Sequence, residues 1–395
     1  MKVLFIVTSF WAYGELIIAM NFAKKLAKDG HKPHFLIPPK HKRIVDQNGY
    51  KNTVLIPKAG KINRILMKDI EYSISPNLVI LSDFLNYNYC EVHYGITKED
   101  LSIFSGKIAT FDNFSWELKR NGMDSYGFNS NVLKEADINL YKYKICPCPI
   151  VNQKSQFKKG HFMFSIGDND INITDDLKKK YRNELNLPLD KKIILVTVAL
   201  WQQVPDKYKE AAKFVEESED LFYKLLEDLS KENLILCIGE SNRTITNENI
   251  IKLKSMNTDE FDKYAAVSDL YLGRNLTSTS MIRVALSGIP CAIMMNSKCE
   301  GKEKYGYYMF PVGWYHFLEP VFKDNLYSKV ITFLEQYEVD KNIKKINEIL
   351  YNDKVKQIIG KNVEKLKSEL RALKSPSEII NEIVYGEDLW EEIYV

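Results

Sequence analysis

The sequence predicts an α/β protein of two doubly wound domains, each a parallel sheet flanked by helices. Three observations carry this. The apolar, β-branched run Val3 to Thr8 leads through a helix to a second strand, Lys32 to Ile37. A second such run, Lys191 to Ala199, again precedes a helix and a strand. Both runs lack polar alternation, the mark of strands buried on both faces. The third observation is the stretch Ser268 to Pro290, where strand, polar turn, helix and Gly288-Ile289-Pro290 follow one another.

In the first domain, taken as 1–150, a helix begins near Glu15 after the loop Ser9 to Gly14. Its apolar residues Leu16, Ala19, Met20, Ala23 and Leu26 form one stripe. Gly30 stands where a helix C-cap belongs, with Lys24, Lys25 and Lys28 suiting the negative end of the dipole. Further strands are expected at Asn52 to Ile56, Asn77 to Leu81, Lys107 to Thr110 and Asp137 to Leu140. Asp83 and Asp112 follow two of them. A strand-end acid either caps the next helix or faces a ligand, and capping is the simpler role. The prolines of Ile145-Cys146-Pro147-Cys148-Pro149-Ile150 deny a helix and suit a crossing between domains.

The second domain, 170–340, opens with a helix, Asp176 to Leu187, before the strand at Lys191. The turn Leu200-Trp201-Gln202-Gln203 leads to a long helix, Lys207 to Leu229. Strands Leu234 to Gly239 and Ile250 to Leu253 follow, then a helix, Asp259 to Val267. After the strand Cys291 to Met295 comes an aromatic stretch, Tyr305 to Pro320, either a pocket lining or a buried cluster. Helices fill 341–395. The basic run Asn342 to Lys374 reads as a solvated face, with attachment to an acidic membrane surface as the alternative.

Within Ser268 to Pro290, the strand Leu270 to Leu272 stops at Gly273, and Thr277, Ser278, Thr279 and Ser280 crowd the start of the helix. One or two hydroxyls cap a helix. Four suit either a capped crossover with spare hydroxyls or an anion seat, because unpaired N–H groups and the dipole make a helix start attractive to phosphate. Arg274 stands beside the turn and can fork two hydrogen bonds to phosphate.

This stretch resembles the donor-nucleotide segment of GT-B glycosyltransferases. The openings of both domains look like that family too: strand, helix, Gly30-His31, strand in the first, and helix, Asn186 to Lys192, strand in the second. The resemblance implies a nucleotide-sugar of UDP or dTDP type, held as co-substrate in a cleft between two Rossmann-like domains. It implies last helices crossing back to the first domain, and neither a bound metal nor another cofactor. The donor residues would be Gln202, Arg274, Thr277, Ser278, Thr279, Ser280 and Arg283. Two departures stand out. Trp201 and two glutamines replace a glycine-rich turn, and Arg283 occupies the place where many members carry a ribose-binding glutamate. Read as lying in the first helical turn, Arg283 opposes the dipole, so either a donor anion or a nearby acid would compensate it.

For the acceptor's proton the resemblance points to the loop after the first strand, hence Glu15 as general base, with Asp112 and His316 in reserve. A dipole role for Glu15 is the alternative. The expected reaction is inverting, metal-independent transfer of a sugar to a lipid, peptide, glycan or natural product. A sugar-nucleotide 2-epimerase of the same fold and a non-catalytic binding protein are the other readings.

Composition sets bounds. The 395 residues suffice for two cores. A net charge of +3, with no basic block interleaved with aromatics, argues against nucleic acid. Six scattered cysteines suit a reduced, cytoplasmic protein. No segment approaches a membrane span, and the apolar start reads as a strand.

Overall fold

A computed structural model describes residues 1–10, 13–113, 115, 138–155, 159–167, 171, 173–198, 209–239, 247–254, 256–275, 277–296 and 324–386. They divide between two compact units.

The first unit holds β1 (Lys2–Ile6), β2 (Lys32–Ile37), β3 (Lys51–Val54), β4 (Leu78–Leu81), β5 (Lys107–Phe111), β6 (Tyr143–Cys148) and β7 (His161–Ser165). They form one sheet in the order β3-β2-β1-β4-β5-β6-β7, parallel throughout. Val3 to Ile6 and Leu78 to Leu81 are buried on both faces, as their unbroken apolar runs require. The helix Gly14–Lys28 covers one face through Leu16, Ala19, Phe22, Ala23 and Leu26. Phe22 meets Phe5, Phe111 and Phe164 edge-on at centroid distances of 6.2, 5.6 and 4.9 Å. Gly30 takes φ +80 just beyond this helix, the left-handed step that ends it.

The end of the chain returns to this unit. Ile379, Ile380 and Ile383 of the helix Pro376–Tyr385 are fully buried, and that helix packs on Gly14–Lys28, where the Ser377 hydroxyl donates to the Asp29 carboxylate.

The second unit holds β8 (Ile193–Thr197), β9 (Leu234–Ile238), β10 (Ile250–Leu253), β11 (Leu270–Gly273), β12 (Cys291–Met295) and β13 (Ile331–Glu335). Their order, β10-β9-β8-β11-β12-β13, is again parallel throughout. Asp269, at the amino edge of this sheet, anchors helix Asp175–Glu184. It accepts from Arg182 and Lys178 at 2.8 Å each and from the Ile193 N–H at 2.8 Å. Burial alone would raise its pKa, but the Lys178 ammonium, those hydrogen bonds and the Lys192 charge hold it below the ordinary value. This network is structural.

Two expectations are corrected. Residues 138–140 form a 3-10 turn, not a strand. Ile145 to Cys148 is the fully buried end of β6, not a crossing. Pairing with β5 stops at Ile145, so Pro147 sits where one flank of β6 has lost its neighbour and a missing N–H costs no ladder bond on that flank. β7 and β13 were both missed. β13 interrupts a helix-rich region, its turn signal being Asp324-Asn325 just ahead of it, where Asp324 takes φ +57 and Asn325 caps a 3-10 turn. The stretch 341–395 also divides: helix Val339–Tyr351 packs on Lys209–Leu229 in the second unit, while Pro376–Tyr385 belongs to the first. In helix Asp353–Arg371, Ile359, Val363, Leu366 and Leu370 form the buried stripe, while Lys354, Lys361 and Lys365 are exposed on the solvated side of an amphipathic helix.

Candidate functional site

Each sheet changes winding direction once. The chain lays β2 and β3 to one side of β1, then β4 to β7 on the other; β9 and β10 flank β8 in the same way before β11 to β13. Loops leaving the two central strands separate at the carboxyl edge, and open α/β sheets bind ligands there. A different polar group stands at each of these two places.

In the second unit the place is filled by the turn after β11. Gly273 ends the strand, and a Cβ there would meet Cε1 of Tyr271 at 3.1 Å. The Tyr271 ring is buried, and its hydroxyl bonds with the Thr197 hydroxyl on β8 and lies 3.4 Å from that of Ser278. Burial pushes its phenol up to about 12, so it remains a neutral bridge between the two central strands. Asn275 Oδ1 accepts from the N–H and hydroxyl of Thr277, both at 3.1 Å, which tightens the turn. Ser278 is the N-cap of helix Thr279–Leu286, its hydroxyl accepting from the Met281 N–H at 3.3 Å. A helix start leaves the N–H groups of Thr279 and Ser280 without intrahelical acceptors. One of the four expected hydroxyls is therefore the cap, and Thr277, Thr279 and Ser280 stay half-buried around it.

Of the two arginines, only Arg283 departs from expectation. Arg274 is buried, its guanidinium 4.8 Å from the Phe222 ring centroid. Arg283 lies in the last turn of its helix, not the first, so its charge suits the dipole. Its guanidinium grips Asp262 with two hydrogen bonds, at 2.7 and 2.5 Å. The compensating group is the nearby acid, and the donor anion is not needed to explain this arginine.

In the first unit the place between β1 and β4 is lined with acids. Glu15 enters from the first turn of helix Gly14–Lys28. Asp83 follows β4 and caps helix Phe84–Tyr89, its Oδ1 accepting from the Asn86 N–H at 2.9 Å. Asn86 turns its side-chain amide to Glu15 Oε1, so one asparagine ties the two carboxylates together. Asn113, just after β5, donates to Asp83 Oδ2 at 3.2 Å and to the Ser82 carbonyl at 3.1 Å. Asp112 is fully buried beside it.

Electrostatics follow from this crowding. Desolvation, reinforced by the Asp83 charge, raises Glu15 to about 8 against the lowering effect of Ser9 and Asn86. Desolvation also lifts Asp83, to about 6, with Asp112 adding to it while Asn86 and Asn113 pull it down. Acids raised toward neutrality at a switch point make this a candidate functional site. The strand-end acids were visible in the sequence; their convergence with Glu15 depends on β1, β4 and β5 being neighbours. Asn86 and Asn113 carried no signal at all.

Gln202 and His316 lie outside the described residues, as do Trp201 and the Tyr305 to Pro320 stretch. Among the described residues no group of His, Cys, Asp and Glu has the arrangement of a metal site, and no helix is long and apolar enough to cross a membrane.

A family model described as "Family of unknown function (DUF6365)" matches residues 22–304 and 298–386. The chain belongs to this family. No curated protein matches the sequence. In structure this DUF6365 member is similar to the spinosyn forosaminyltransferase SpnP, with a TM-score of 0.58, 12% identity, and 98% of this chain and 99% of that one covered. HepE of Anabaena, solved with UDP-glucose, has a TM-score of 0.59 at 13% identity, covering 98% of each chain. UGT89C1 of Arabidopsis thaliana, solved with UDP-L-rhamnose, has 0.58 at 12%, again covering 98% of each. At such identities the likeness is one of fold: the chain has the GT-B fold of these glycosyltransferases.

Proposed function

We propose that the protein is a glycosyltransferase that moves a sugar from a nucleotide-sugar donor, of UDP or dTDP type, to an acceptor hydroxyl. The observation that carries the reading is the hydroxyl-rich helix start at the switch point of the second sheet, in a fold shared with enzymes solved holding UDP-sugars. The departing diphosphate would lie against the N–H groups of Thr279 and Ser280 and the hydroxyls of Thr277, Thr279 and Ser280. A helix start stabilises charge as it develops on the leaving oxygen. Glu15 would take the acceptor's proton as the acceptor oxygen bonds to the anomeric carbon and the nucleoside diphosphate leaves, which inverts that carbon. A base poised near the working pH serves this step well, and Glu15 is poised there. No metal is required by the scheme, so turnover should survive a chelator.

The direct test is ligand linkage. UDP or dTDP in excess over its Kd should raise the melting temperature, by stabilisation of about 2.7 kcal/mol at a hundredfold excess. Absence of any shift with either nucleotide at millimolar level would remove the donor seat, and the function with it.

One observation favours a second reading. Glu15, Asp83 and Asp112 gather at one place, and a 2-epimerase needs several acids around its sugar. Incubation with UDP-sugars in D2O, without acceptor, separates the two: epimerisation would place deuterium at C2, and transfer would not.

A further inference from the structure

We infer that the carboxyl edge of the first sheet binds a protonated primary amine, so that the acceptor carries an ammonium group beside the hydroxyl it offers. The ammonium site stands on the geometry of the first unit; its assignment to the acceptor rests on the glycosyltransferase reading.

Glu15 and Asp83 are tied together through Asn86, yet neither has a lysine or arginine partner among the described residues. Among the described residues, the other ionisable groups that feel them are Asp112, Cys90 and Tyr141, and none is a cation. Buried charges are normally paired, and an unpaired one is neutralised by a proton. Burial accordingly holds the Glu15 carboxyl protonated well above the usual carboxylate range.

The second observation is independent of the acids. Asn113 is 3% exposed and spends its amide N–H groups on Asp83 and the Ser82 carbonyl, but its Oδ1 accepts nothing. The Ser82 hydroxyl, 1% exposed, is also without a partner. Orphaned buried acceptors are rare enough to call for a missing donor. The amide is held against Asp83, so the donor it awaits must lie next to the acids.

An ammonium group matches all of this. It brings one positive charge and three N–H donors, which Glu15, Asp83 and Asn113 Oδ1 can share. A neutral hydroxyl would satisfy Asn113 and leave Glu15 protonated. A metal would need a ligand group that the described residues do not offer. The chemistry also links binding to catalysis. As the ammonium enters, the Glu15 proton leaves to solvent, and Glu15 becomes the ionised base that transfer requires.

The test uses the full-length protein at pH 7 with ethanolamine and D-glucosamine as probes, and ethylene glycol and D-glucose as neutral counterparts. The amines should raise the melting temperature and their counterparts should not. Binding heats in buffers of different ionisation enthalpy should report release of about one proton per amine bound. Asp83→Asn keeps an acceptor for the helix cap, and Asn113→Leu fills the same space without the orphan oxygen. Each should weaken amine binding about tenfold or more, as loss of a charged hydrogen bond does. Equal shifts from the neutral compounds, no shift from either amine, or full amine binding in folded Asp83→Asn would each overturn the inference. UDP added to the same samples keeps the two proposals apart: a UDP shift without an amine shift sinks this inference alone, and loss of the UDP shift sinks the donor reading.

Discussion

At the carboxyl edge of the first sheet the polar atoms are carboxylates and amides, from Glu15, Asp83, Asn86, Asp112 and Asn113. At the same edge of the second sheet they are hydroxyls and backbone N–H groups, from Thr277, Ser278, Thr279 and Ser280. Both stand where the winding reverses, on strands in the same 3-2-1-4-5 order. The topology makes an opening in each case, and the residues that follow the central strands decide its sign. Desolvated carboxylates collect protons and cations. A helix start with spare donors collects anions. One fold used twice thus makes an acid-lined opening and a donor-lined one, with no residue shared between them.

The sharpest way to break this contrast is Glu15→Gln, which keeps size and hydrogen bonding while removing basicity. Turnover should fall by roughly 10²–10⁴-fold with nucleotide affinity unchanged. Near-normal turnover would return Glu15 to a dipole role and leave the acid edge without chemistry.

The same variant sharpens the electrostatic half. Glu15 is raised from 4.5 to about 8 in the folded protein, so the folded state holds a proton that the unfolded chain has lost within that window. Its contribution to stability is fully present below pH 4.5 and is lost as pH rises through about 8. Denaturant unfolding of the wild type should show stability declining across this range, and Glu15→Gln should remove that component of the slope. An identical slope in both proteins would mean that the carboxyl is not desolvated.

Smaller effects probe the donor edge. Ser278→Ala removes the N-cap and should cost about 1 kcal/mol of stability, with weaker UDP binding because the turn loses its anchor. If Ser278→Ala binds UDP as tightly as the wild type, the turn is not the phosphate seat. Arg283→Gln separates structure from ligand. Its partly exposed pair with Asp262 should be worth up to about 1 kcal/mol of stability, with UDP affinity unaltered. Weaker UDP binding with stability intact would restore this arginine to the donor site.

Local pattern made most of the strands legible. Val3 to Ile6, Leu234 to Ile238 and Cys291 to Met295 are unbroken apolar runs, and burial on both faces leaves no other arrangement for them. β6 was hidden because Pro147 looks like a breaker until the short reach of β5 beside it is known. The hydroxyl-rich turn was legible as a helix start, since Ser278 caps a helix whose apolar spacing begins three residues later.

What the sequence by itself determined is therefore local: two βα series, their caps, and one stretch with the chemistry of an anion seat. These depend on neighbours within a few residues, so they are written in spacing. Tertiary structure decided everything that depends on strand order. It set Asp83 between Glu15 and Asn113, tied Glu15 to a helix that starts 69 positions after it, and gave Arg283 to Asp262 instead of a ligand. The physical reason is that a carboxylate's state is set by the charges and water around it in space. Those neighbours come from strands that only the folded sheet brings side by side.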